Sequence, residues 1–132
     1  MIEVIEKARM LGEAIRDSAE YKEMQLREAE AETDPAANAL KQQIREMNIE
    51  YQKTLERLET ADMSVLEAMQ GEMDASKKVL AELPSIRARD AARMQFSRLM
   101  EQVNNVMQYI LYGEISSTSG CGGNCSGCAG CQ

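Results

Sequence analysis

Between residues 91 and 113 the chain reads "AARMQFSRLMEQVNNVMQYILYG". Ala92, Phe96, Leu99, Val103, Val106 and Ile110 recur there at steps of four, three, four, three and four. No strand can follow that spacing, because alternate strand residues face opposite ways, whereas a helix brings all six onto one side. It is a heptad seam, flanked by Met100, Met107 and Leu111, and Gly113 supplies the residue that most readily closes a helix. A chain that spends its apolar residues this way is committed to helix packed on helix.

The rest of the chain obeys the same period. Ile5, Ala8, Leu11 and Ile15 form one apolar face, and Asp17 and Ser18 can cap a following segment over roughly residues 19–32. That segment, "AEYKEMQLREAEAE", offers only Tyr21, Met24 and Leu26 for burial, so it holds its helix only if something packs on it. In "TDPAAN", Asp34 can cap and Pro35 suits the first helical position, where a missing N–H costs nothing. Leu40, Ile44, Met47, Tyr51, Leu55 and Leu58 then predict a helix of about 25 residues, about 40 Å at 1.5 Å per residue. "SVLE" restarts the pattern with a capping box between Ser64 and Glu67, and Leu66, Met69, Met73, Leu80 and Leu83 carry it to Pro84. The residue before a proline is pushed out of helical geometry, so a boundary is expected there. Ten methionines sit largely in these registers and read first as adaptable core filler. The fold class expected is all-α: an antiparallel helical bundle with a long helical hairpin over residues 1–113. A flexible Gly/Ser/Cys-rich C-terminal tail follows over residues 114–132.

Charge and residue types narrow the function. The net charge of −7 argues against coating nucleic acid. The sign reverses locally, with Lys77, Lys78, Arg87, Arg89, Arg93 and Arg98 set against only Glu82 and Asp90. That stretch reads first as a solvated helix face. The alternative is contact with RNA or an acidic partner through Arg87, Arg89, Arg93 and Arg98. The chain has no histidine, which removes Ser-His-Asp and Cys-His catalysis and mixed Cys/His zinc sites. No glycine-rich phosphate loop occurs, and no catalytic residues are expected. No apolar run approaches the roughly 20 residues of a membrane helix, and the N-terminus carries Glu3 and Glu6, unlike a signal peptide. A cytosolic protein with reduced thiols is expected. The stripes at residues 40–58 and 92–110 serve an intramolecular core by default. Beyond that they suit self-association or a partner's helix, with Phe96, Leu99, Met100, Val103, Met107 and Ile110 as the contact residues.

All four cysteines lie in the last residues, "SSTSGCGGNCSGCAGCQ". Cys121, Cys125, Cys128 and Cys131 follow C-x3-C-x2-C-x2-C, and four thiols so close in a cytosolic chain point to metal or redox chemistry. C-x2-C-x2-C is the run that wraps [4Fe–4S] cubes in bacterial ferredoxins, and the intervening glycines permit sharp turns and expose N–H groups to cluster sulfides. Zinc held by four thiolates is the second use, although the long separation between two C-x2-C knuckles is missing. The third is a non-metal fate: a free or disulfide-forming tail, or the precursor of a thioether-modified peptide. The C-x3-C-x2-C of radical-SAM enzymes is also matched by Cys121, Cys125 and Cys128, but that loop belongs to a barrel of parallel strands, which this chain lacks.

Taken in order, the opening "ARMLGEAIRDSAEY", the final helix "FSRLMEQVNNVMQYILYG" and the cysteine tail resemble the bacterial YlbF/YmcA family. The resemblance rests on Ile15, Ser18 and Tyr21, on Phe96 through Asn104 to Gly113, and on the tail, and it covers nearly the whole chain. It implies a small all-α protein without enzymatic activity that assembles with paralogues and with a YaaT-like protein. It further implies [4Fe–4S] clusters and action with ribonuclease Y in mRNA processing, which influences competence, sporulation and biofilm formation. Carried over by position, Cys121, Cys125, Cys128 and Cys131 become ligands of a cluster that a partner's cysteine can complete. The reading from a different class is a stand-alone metal or redox carrier, holding either Fe–S or zinc.

Overall fold

The computed structural model describes residues 1–57 and 63–113. They form five helices and, among the described residues, no strand. These are α1 (Ile2–Arg16), α2 (Ala19–Thr33), α3 (Pro35–Arg57), α4 (Met63–Glu82) and α5 (Pro84–Tyr112).

Local chemistry sets most of the boundaries. Ser18 ends one helix and starts the next: its hydroxyl donates to the Ile15 carbonyl at 2.5 Å and accepts from the Tyr21 amide at 3.2 Å. Asp34 accepts from the Ala36 amide at 3.0 Å, satisfying a donor that the first turn of α3 would otherwise leave orphaned. Pro35 and Pro84 each occupy the first position of a helix. Gly113 adopts φ 74° and donates to the Tyr109 carbonyl at 2.8 Å, the left-handed closure expected of it. The capping box is displaced. Because α4 already begins at Met63, Ser64 lies within its first turn rather than ahead of it.

Residues Met1–Arg98 form one compact unit, and its packing has a simple register. Met47 faces Ser76, Asp34 faces Ser85, Glu28 faces Arg93 and Tyr21 faces Phe96. As one partner moves toward the N-terminus, the other moves toward the C-terminus by nearly the same step. The chain therefore folds back once, running α2 and α3 antiparallel against α4 and the first half of α5. This is the long hairpin, and both arms are broken at the same level, where Asp34–Pro35 meets Pro84–Ser85. Two prolines at one height let both arms change direction together without losing contact.

The core follows the hairpin. Ala31, Ala37 and Ile86 are fully buried at the proline level, with Leu80 and Leu83 packed against them. Leu66, Met73 and Ala92 complete the buried set, while Met47 and Met69 are half-buried between the arms. Met10, Met63, Met94 and Met107 are exposed, so core filling accounts for only part of the methionine content. The charged segment α2 does find its cover: Tyr21 meets the Phe96 ring edge-on at 5.5 Å, and Arg93 donates to Glu28 at 2.7 Å.

Asp34 is the polar hub of the proline level. The Ser85 hydroxyl donates to its carboxylate, and that bond, with the Ala36 and Ala37 amides, holds the group below its ordinary pKa despite some desolvation. A carboxylate with a depressed pKa stabilises the fold above its unfolded value, and the contribution is lost as pH falls through the folded value. Replacing Asp34 with alanine is therefore expected to lower the melting temperature at about pH 6, with the gap to wild type closing toward about pH 3. Thermal melts across that range check it. A gap independent of pH would mean that the ionised carboxylate is not the stabilising form.

Candidate docking surface

Helix α5 positions the residues singled out for partner contact. At about 100° per residue, Phe96, Leu99, Met100, Val103, Met107 and Ile110 fall within an arc of about 100°. They therefore share one stripe, and Val106 and Leu111 flank it. Its cover changes along its length. Phe96 is half-buried and engaged by Tyr21, so it belongs to the hairpin's own packing and not to an open surface. Leu99, Met100 and Val103 are half-buried. Beyond them Val106, Met107, Ile110 and Leu111 stand 59, 42, 75 and 70% exposed.

Apolar side chains are also bare on α1, which buries none of its residues fully, and they spread over about half of its circumference. Ile2, Val4, Ile5 and Leu11 are 89, 69, 66 and 39% exposed. The periodicity marks this face as apolar, but spacing alone does not separate a stripe that the fold covers from one that it leaves open. Its charged flanks satisfy one another: Lys7 pairs with Glu3 at 2.9 Å, and Arg9 bridges Glu6 and Glu13. These are exposed pairs along one helix, so they contribute little stability, and Arg9 is held above its ordinary pKa chiefly by Glu6.

The four arginines of the basic stretch do not converge. On the α5 wheel Arg87 and Arg98 lie near one another in angle, and Arg89 and Arg93 lie on roughly the opposite side. Arg89 pairs with Asp90 at 3.0 Å and Arg93 with Glu28 at 2.7 Å. One pair is thus spent on neighbouring carboxylates, leaving two arginines about 16 Å apart along the axis at 1.5 Å per residue. Two cavities among the described residues are small: one of about 110 Å³ lined by Met47, Glu50, Met69 and Glu72, another of about 220 Å³ beside Ala19, Glu23 and Ala92. Cavities of roughly 300–1,000 Å³ are usual for small-molecule sites, so these read as packing gaps. Among the described residues no group of three or more Cys, Asp or Glu side chains is placed to hold a metal ion, and no helix is long and apolar enough to cross a membrane. Cys121, Cys125, Cys128 and Cys131 lie outside the described residues.

Comparison with known proteins adds two findings. The profile of the family described as control of competence regulator ComK, YlbF/YmcA, matches residues 4–111. A UPF0342 protein of Desulfitobacterium hafniense (strain Y51) is 29% identical over 132 residues, covering 94% of this chain and 98% of that protein. No solved structure matches the chain.

Proposed function

The chain belongs to the YlbF/YmcA family of competence regulators, and from that membership we propose that it is a non-enzymatic, cytosolic helical adaptor. It assembles with related helical proteins and a YaaT-like protein, and it modulates mRNA processing by ribonuclease Y. The observation that carries this reading is the family match along the whole helical body, residues 4–111. The bare stripe on distal α5 and the exposed apolar residues of α1 support it, since exposed apolar helix surface suits binding of other helices.

The cysteine tail is assigned a [4Fe–4S] cluster held by Cys121, Cys125, Cys128 and Cys131, with a partner's cysteine able to complete the set. The donor chemistry fits: four thiolates fall within the eleven residues from Cys121 to Cys131, three of them in C-x2-C-x2-C, with Gly122, Gly123, Gly127 and Gly130 between them. When bound, such a cluster supplies a one-electron redox centre sensitive to oxygen. On this reading the helical body carries the tail to a partner.

This function predicts that deleting the gene alters the same transcripts as depleting ribonuclease Y. Genome-wide mapping of RNA ends in the source cells checks it. Transcript sets that overlap no more than chance would refute the link to that enzyme.

A further inference from the structure

We propose that the first part of α2, residues 19–28, is a salt-sensitive strap latched over the facing stretch of α5. It unlatches and melts while α3 and α4 stay folded. The strap engages Phe96 and borders Ala92, so its release uncovers the proximal part of the apolar seam. The proposal rests on the adaptor reading only for the use of that uncovered surface; the latch itself does not depend on it.

Little apolar burial holds the strap. The one fully buried residue of α2 is Ala31, near its end, and that side chain belongs to the core at the proline level. Within residues 19–28, Tyr21 and Met24 are only half-buried and Leu26 is exposed. Helices α3 and α4 pack closely, whereas α2 reaches α5 through a few side chains. A gap of about 220 Å³ lies in the contact itself, beside Ala19, Glu23 and Ala92. Segments with so little buried apolar surface open locally, at a lower cost than global unfolding. A helix of 15 residues is marginal in water, so α2 freed from α5 loses its helix.

Charge supplies what burial does not. Helix α2 carries five acids against two bases, and the stretch of α5 from Pro84 to Arg98 carries four arginines against one acid. The antiparallel register sets the acidic segment against the basic one, and Arg93 meets Glu28 at 2.7 Å. The local reversal of charge thus has a use within the fold. Both side chains of the Arg93–Glu28 pair reach solvent, so salt screens their attraction. The edge-on contact of Tyr21 with Phe96 at 5.5 Å is the second latch, and salt does not screen it.

Hydrogen exchange of the full chain, oxygen-free and read by mass spectrometry, tests the proposal. Residues 19–28 are expected to exchange roughly tenfold or more faster than residues 40–50 of α3 and 70–80 of α4, and faster again at about 0.5 M salt. Two substitutions on α5 are expected to speed exchange in α2 while leaving α3 and α4 unchanged. Phe96→Leu should do so about two- to tenfold, and Arg93→Gln about two- to fivefold with most of the salt response gone. Exchange of α2 in step with α3 and α4, or α2 rates unmoved by either substitution, overturns the proposal. Such a result would leave the adaptor reading standing, because the transcript comparison tests that separately.

Discussion

Replacing Ile86 with alanine is expected to lower the unfolding free energy by about 2–5 kcal/mol. Ile86 is 2% exposed and lies where the two arms of the hairpin bend together, against Ala31 and Ala37. Two alanines bring the helix backbones close, and Ile86 fills the space between them. Removing its outer carbons leaves a void that the neighbours can close only by moving backbone. Pro35, Pro84 and the Asp34–Ser85 hydrogen bond resist that movement. Only six apolar residues are fully buried among those described, so one of them carries a large share of a stability of about 5–15 kcal/mol. Val79→Ala, at a half-exposed position of α4, serves as the control and is expected to cost at most about 0.5 kcal/mol. Denaturant unfolding at one fixed protein concentration measures both, since association would otherwise shift the midpoint. Equal effects from the two substitutions would show that the proline level is not the centre of the core.

Much of the fold is legible in short-range chemistry. Ser18, the Asp34–Pro35 pair, Pro84 and Gly113 each announce a helix end through a hydrogen bond or a restricted dihedral, and the helices end there. Ser64 misleads by two residues: a cap there would make Val65 the first helical residue, and α4 begins at Met63. What the sequence conceals is register. Nothing in the spacing of Pro35 or Pro84 says that they sit at one level, since that depends on where the chain turns back. The same blindness affected Phe96 and Arg93. Both look available to a partner, and both are taken by residues some 65–75 positions earlier, Tyr21 and Glu28. Val106 and Ile110 follow the same heptad as Phe96, yet only the three-dimensional arrangement separates the covered half of the seam from the bare half.

Substituting Cys128 with serine is expected to abolish the visible absorption of the anaerobic protein and leave its helix content unchanged. Cys128 belongs to both C-x2-C steps, Cys125 to Cys128 and Cys128 to Cys131, so its loss breaks each of the tight ligand pairs. The energetics leave no margin for that. Fixing the eleven residues from Cys121 to Cys131 costs on the order of 11–22 kcal/mol at about 1–2 kcal/mol each. The tail from Ser116 onward contains no large apolar side chain to offset this, whereas thiolate–metal bonding in small zinc peptides contributes about 10–16 kcal/mol. Two opposing terms of similar size mean that one ligand decides the outcome. A Cys128→Ser protein that keeps its colour would show that the remaining three cysteines, or a partner's, suffice.

The most direct test of the account is oxygen-free purification of the wild-type chain from its own cells, with iron, acid-labile sulfide and bound proteins measured on the same material. A brown preparation holding iron and sulfide, eluting with related helical proteins and ribonuclease Y, is the predicted result. A colourless, metal-free chain eluting alone would contradict it.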